Sequence, residues 1–171
     1  MTSLRLLSAL AVLLLAGCKN HDIPEELASI FVEAPPSIGG SMKQEVTLPV
    51  SQLKLSVMTR ALVTAEEILN THPITSGEPD LRQEFLLVQL DRKAAVDVMN
   101  YTKEAIGRHF VLVINDAAVG IMPIDSQVVD GNLIFHVEKK GMTNTQAVMD
   151  ISRRLNISAL KIRKIKESER P

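Results

Sequence analysis

The chain of 171 residues carries 19 basic and 20 acidic side chains, a formal net charge of -1, on a composition that is 46% hydrophobic. With no excess of lysine and arginine to form a basic face, nucleic acid is not an expected partner. A single tyrosine and no tryptophan argue equally against a stacking or sugar-binding platform, and the one cysteine, Cys18, has no disulfide partner within the chain.

Residues 1–17 open with one positive charge, Arg5, run through the apolar segment Leu6–Leu15 and close on small residues. This is the pattern of a cleaved secretory signal, too short to span a bilayer. Leu15-Ala16-Gly17-Cys18 lies at the end of that run and resembles the lipobox of bacterial lipoproteins. The resemblance implies cleavage before Cys18 and acylation of the cysteine and its new amine, with palmitate among the acyl groups. Several chains hold stably because each buried methylene contributes about 0.8 kcal/mol. The alternative is an ordinary signal followed by a chance cysteine. Lys19 and Asn20 come next, without the aspartate typical of inner-membrane retention in enteric bacteria. That favours a periplasm-facing protein on the outer membrane.

Residues 18–43 read as anchor and tether. Pro24-Glu25-Glu26 suits a helix start with Ile30 and Phe31 as a small apolar face, but Pro35-Pro36 and Gly39-Gly40 favour a disordered linker. A folded domain is expected over 44–163. Val46 and Leu48, then Leu53, Leu55 and Val57, alternate with polar residues as two strands. Thr64-Ala65-Glu66-Glu67 fits a capping box that opens a short helix through Asn70, stopped by His72-Pro73. Glu84–Leu90 is apolar on both faces and reads as a central strand. Asp91 caps the following helix, with Ala95, Val98, Met99, Thr102 and Ile106 as its core stripe.

The stretch from Thr102 to Pro123 organises the rest. Gly107 stands where a left-handed cap is wanted, and Phe110–Ile114 is an unbroken apolar run rich in β-branched residues, as in a buried strand. Asn115-Asp116, which tolerate positive φ, turn the chain into a second strand ending at Met122-Pro123. Val128-Val129 reads as a strand before a turn at Asp130-Gly131, and Leu133–Val137 as another. Thr143–Gln146 is a second capping box, for a helix with Ala147, Val148, Ile151 and Leu155 inward and Asn156 at its end. Leu160 and Ile162 alternate as a last strand, and 164–171 is a charged, solvated tail.

This order predicts the α+β class: a mixed sheet with two main helices on one face, ferredoxin-like in its βαβββαβ order, with extra N-terminal strands. A right-handed crossover through the first helix makes the strands at Phe85 and Phe110 parallel.

The ordered series Phe85–Asp91, Thr102 with Gly107-Arg108, the apolar strand and polar turn, Val119, Pro123, Gly131 and Thr143 resembles SecD. Specifically, residues 44 to 160 resemble the head subdomain of the first periplasmic domain of that export subunit, and Leu62–Ile68 the segment that precedes it. The series departs from the family where Asn115-Asp116-Ala117 replaces the usual Asp-Gly turn, where Lys161 replaces a common proline, and in having no second apolar run long enough to span a membrane. What the resemblance implies is therefore a periplasmic head of the kind that engages exported chains, without the proton-driven motor.

Catalytic and metal motifs are missing from the sequence. His21, His72, His109 and His136 lack ligand spacing, although His109 and His136 both belong to strands; Asp91, Asp116, Asp125 and Asp130 sit at caps and turns. Met99, Met122, Met142 and Met149 fit core gaps better than an adaptable sticky surface. The expectation is a non-enzymatic module without metal or cofactor, tethered to the membrane at Cys18 and contacting a protein partner. An exposed strand edge or the cleft beside Met122 and Pro123 is its expected binding surface. A pilot or adaptor lipoprotein for one outer-membrane or secretion assembly is the alternative. A small-ligand enzyme would require a pocket with convergent polar groups.

Overall fold

The structure is a computed structural model that describes residues 24–78 and 82–169. Its strands are β1 (Ala28–Val32), β2 (Lys43–Thr47), β3 (Lys54–Met58), β4 (Ile68–Ser76), β5 (Gln83–Leu90), β6 (His109–Ile114), β7 (Ala117–Pro123) and β8 (Asn132–Val137). Helix α1 (Arg92–Thr102) follows β5, and α2 (Asn144–Ser168) follows β8. The main sheet has the order β1-β6-β7-β8-β5-β4, and β2-β3 form a separate hairpin. The α+β class expected from the sequence is therefore the one found, with both helices packed on one face of the main sheet.

Three layers result. Strand β6 is buried on both sides because it sits between two of them. Phe110, Leu112 and Ile114 face the main core, with Leu86, Val88, Phe135, Val98, Val148 and Leu155. Val111 and Val113 face the opposite way, onto Leu48, Leu55 and Val57 of the hairpin. The hairpin covers only half of that second face: β3 lies against β1, and β2 against β7. Over β8, β5 and β4 the face is open.

Several local expectations give way to long-range pairing. The stretch read as tether contains β1, whose Ala28, Ile30 and Val32 enter the core while all five residues pair with β6. Its alternation is a strand signal that the surrounding prolines and glycines mask. Glu67 does reach back to the Thr64 N–H, 3.0 Å away, but it closes only a 3-10 turn over Ala65–Glu67. The chain then enters β4, so His72-Pro73 lies within a strand rather than ending a helix. Pairing with β5 outweighs the local cap.

Strands β5 and β6 are not parallel. Every ladder among the described strands is antiparallel, and β6 takes β1 and β7 as neighbours while β8 lies beside β5. The crossover rule needs the next strand to join in the same direction, whereas here a β6-β7-β8 meander brings the chain back to β5. Val98 and Thr102 are buried on α1 as expected, with Ala94 beside them and Ala95 partly buried, whereas Ile106 lies beyond the helix end and is 60% exposed. Val128-Val129 lies in the loop before β8.

Helix α2 absorbs the expected last strand and runs through residue 168 into the expected tail. Ile151, Leu155, Ala159 and Ile162 keep helical spacing along the core, a longer pattern than the two alternating residues that suggested a strand. The caps at Asp91 and Thr143 form as read: Asp91 accepts from Ala94 N–H and Thr143 from Gln146 N–H.

Candidate binding surfaces

The N-terminal strand is clamped by the β6-β7 turn. Asn115 and Asp116 have φ of 46° and 66°, and Ile114 pairs with Ala117, so the hairpin is a tight two-residue turn. Asn115 also accepts from Leu27 N–H at 2.9 Å and donates to the Glu25 carbonyl at 2.9 Å. A residue expected only to turn the chain thus fixes β1 at the sheet edge. Gly107 (φ 85°) donates its N–H to Ile124. Gly131 has φ 69°, and a Cβ there would meet that of Ala95 at 2.7 Å, so no other residue fits under α1.

Met122 and Pro123 lie where the sheet forks. Strands β7 and β8 pair only at Gly120–Val137 and Ile121–His136 and then diverge, and the Ile134 N–H donates to Met122 Sδ at 3.2 Å instead of to a β7 carbonyl. Met122 is half-buried against the main core and Pro123 is exposed. Of the histidines on β6 and β8, His109 holds Glu33 at 2.6 Å and His136 meets the Phe85 ring edge-on, 6.2 Å between centroids. They serve different neighbours. Among the described residues no cluster of three His, Cys, Asp or Glu is placed to hold a metal. Cys18 lies outside the described residues.

Strand edges are treated unequally. The outer edge of β4 is closed by α2: Asn156 accepts from Thr71 N–H at 2.7 Å and donates to Thr71 O at 2.8 Å, while Arg163 donates to Leu69 O. Two residues beyond Thr71, Pro73 faces the same side and carries no N–H. The outer edge of β2 is open. The Met42 carbonyl accepts from Thr59 and Leu48 donates to Leu53, so even-numbered residues bond to β3. Lys43, Glu45 and Thr47 therefore direct their N–H and C=O groups away from it, without a hydrogen-bond partner among the described residues.

That open edge borders the uncovered half of the sheet. Leu87 pairs with Ile134, and Phe85 with Ile74, on the face opposite the helices; Ile134 is 43% exposed. Ile121 continues the same surface under β2. Sequence alternation on β5 and β8 gave each strand its two faces, but which half would stay uncovered depended on where the hairpin docks. Glu138 sets that position, accepting from Ser51 N–H at 3.0 Å and Ser51 Oγ at 2.9 Å.

A separate cavity of about 350 Å³ lies between the hairpin tip, the β6-β7 turn and α2, with Ile114, Ala118, Val119 and Ile151 in its wall. Four of its charged rim residues are held in internal pairs, Asp150 with Lys139 at 2.6 Å and Arg154 with Glu26 at 3.0 Å. The hydrogen bond from Lys139 holds the Asp150 carboxyl below its usual range, with burial acting against it. Hydrogen bonds from Asn132 depress Asp130 likewise. Both are carboxylates fixed in the ionised form by structural neighbours, which gives neither a proton to donate near neutral pH.

No family model and no curated protein matches the chain. Solved structures do. A structure of the membrane component SecDF, described as enhancing protein export, superposes with a TM-score of 0.51 at 9% identity over 92% of this chain and 70% of that one. A crystal structure of SecDF in a super-membrane-facing form gives 0.51 and 9% over 77% of this chain, which spans 18% of that one. At this identity the likeness is one of fold, and the chain has the architecture of a SecD-like domain.

Proposed function

We propose that this protein is a non-catalytic, lipid-anchored module of the bacterial envelope that binds polypeptide in extended form and contributes to protein export or envelope assembly. The observation that carries the reading is the unpaired β2 edge at Lys43, Glu45 and Thr47, set beside the open apolar face of Ile134, Leu87 and Phe85. An extended chain adds there as a further strand. Its backbone bonds to β2 and its alternate side chains meet the apolar face, which gives affinity with little sequence preference. The SecDF likeness supports the link to export, and the acylated Cys18 read from the lipobox supplies the anchor, with the outer membrane as the favoured site. Among the described residues no helix is long and apolar enough to cross a membrane.

The test is binding of the full chain to a permanently unfolded, carboxymethylated protein against the folded form of the same protein. Glu45→Pro deletes one outward N–H while leaving the bonds to β3 intact. It is expected to weaken binding about tenfold, the loss of one or two edge hydrogen bonds. Ile134→Asp does the same through the face. Equal binding of folded and unfolded forms, or no effect of Glu45→Pro, refutes the reading. A single stoichiometric folded partner that is mislocalised on deletion supports the pilot lipoprotein instead.

A further inference from the structure

On the reading that Cys18 is acylated, we infer that the fold grips the chain directly behind the anchor, so that one end of the domain, where the last turns of α2 meet the start of β1, faces the lipid at close range. Six residues, 18 to 24, separate that cysteine from Pro24. A backbone spans at most about 3.6 Å per residue, which puts Pro24 no more than about 22 Å from the lipid. From Glu25 onward the chain has no slack. Asn115 donates to the Glu25 carbonyl at 2.9 Å and accepts from Leu27 N–H at 2.9 Å, and its own N–H donates to the Leu27 carbonyl at 3.1 Å. Ser158 Oγ accepts from Glu26 N–H at 3.1 Å, and Arg154 pairs at 3.0 Å with a Glu26 side chain that is only 14% exposed. Lys161 reaches Glu25 at 3.7 Å. Helix α2 and the β6-β7 turn therefore hold residues 25 to 27 from two sides before β1 begins.

The place of this grip decides which end lies near the membrane. Pro24 and Leu27 share a cleft with Ala65, Ile162, Ile165 and Lys166, at the last turns of α2, and Leu27 is 50% exposed there. Thr145, in the first turn of the same helix, stands about 36 Å from Glu169 at a rise of 1.5 Å per residue. Only the near end is constrained to the surface. The hairpin tip lies next to the gripped segment, because Pro49 and Glu26 line one cavity. The Thr47 end of β2 is thus held near the lipid, and a polypeptide added to that edge is received beside the membrane. A tether running as far as residue 43 would instead let the domain range over about 80–90 Å.

The experiment uses the protein purified from bacterial membranes, with acylation checked by mass spectrometry of the Cys18 peptide, in phosphatidylcholine vesicles that carry an energy-acceptor lipid. A donor dye is attached through Glu169→Cys or Thr145→Cys. Transfer is expected to be about threefold weaker from 145, the far end of a helix about 36 Å long. About twelve glycine and serine residues inserted between Asn20 and His21 are expected to lower transfer from 169 by about half. The same insert between Gly39 and Gly40, where an added Cβ meets nothing within 4 Å, is expected to leave it unchanged. A Cys18 without acyl groups overturns the anchor reading and the close approach together. With Cys18 acylated, equal transfer from 169 and 145, or equal effects of the two inserts, overturns the close approach alone and leaves the anchor standing.

Discussion

Replacing Asn156 with alanine tests whether α2 closes the β4 edge. The amide accepts from Thr71 N–H at 2.7 Å and donates to Thr71 O at 2.8 Å, and Thr71 is 1% exposed, so water cannot replace it. The carbonyl keeps a second donor, Ser152 Oγ at 3.1 Å, but the N–H is left without a partner. An orphaned buried donor costs about 1–3 kcal/mol, so the expected loss is about 2 kcal/mol. For a domain of this size that lowers the melting temperature by about 4–8 °C. Thermal melts of Asn156→Ala should be compared with those of Leu160→Ala, an exposed position on the same helix expected to change stability by less than about 0.5 kcal/mol. Amide exchange at Thr71 is expected to quicken, and the opened edge to raise association at high concentration. If the two variants melt within about 1 °C of each other, the side chain is not holding the edge.

Three further outcomes follow from the same geometry. Asp150 has its carboxyl pKa lowered, chiefly by the Lys139 hydrogen bond, so its contribution to stability is complete above the unfolded carboxylate's pKa of about 4 and is lost as the pH falls through the folded value. Asp150→Asn should therefore lose less stability on acidification than the parent, as read by denaturant melts across that range. Gly120→Ala places a Cβ 2.8 Å from Val137 Cγ1 and 3.1 Å from the His136 carbonyl, which is backbone and cannot yield, so a loss of about 1–3 kcal/mol is expected in chemical denaturation. Glu138→Ala removes the acceptor of Val50 N–H, Ser51 N–H and Ser51 Oγ. Because the site is exposed, the expected cost is only about 1 kcal/mol, with faster amide exchange confined to Leu55 and Val57 of the hairpin.

What could be read in the sequence was what local chemistry decides. Asp91 and Thr143 cap helices as their side chains dictate, Asn115-Asp116 makes the tight turn, and Phe110–Ile114 is buried on both faces as its composition requires. What escaped was decided by partners distant in the chain. Ala28–Val32 is a strand because β6 lies beside it, and residues 68–76 are a strand despite the cap ahead of them because β5 and Asn156 satisfy their backbone. Asn156 looked like a helix end, since asparagine often is one, and only its contact with Thr71 shows another use. For the candidate surface, an exposed strand edge was a legible class, but its assignment to β2 required knowing that β4 is sealed and that the hairpin stops short of β8.

The pairing of β1 with β6 also sets a schedule. Ala28–Val32 is made early, yet its partners, Phe110–Ile114, are among the later residues to be synthesised. Until they arrive, this apolar segment has no ladder, and the sheet cannot close from its first strand inward. Such long-range pairing makes folding slow relative to local hairpins and helices. In the proposed envelope role that delay suits export, because the first of the described strands cannot lock a native sheet before the rest has followed.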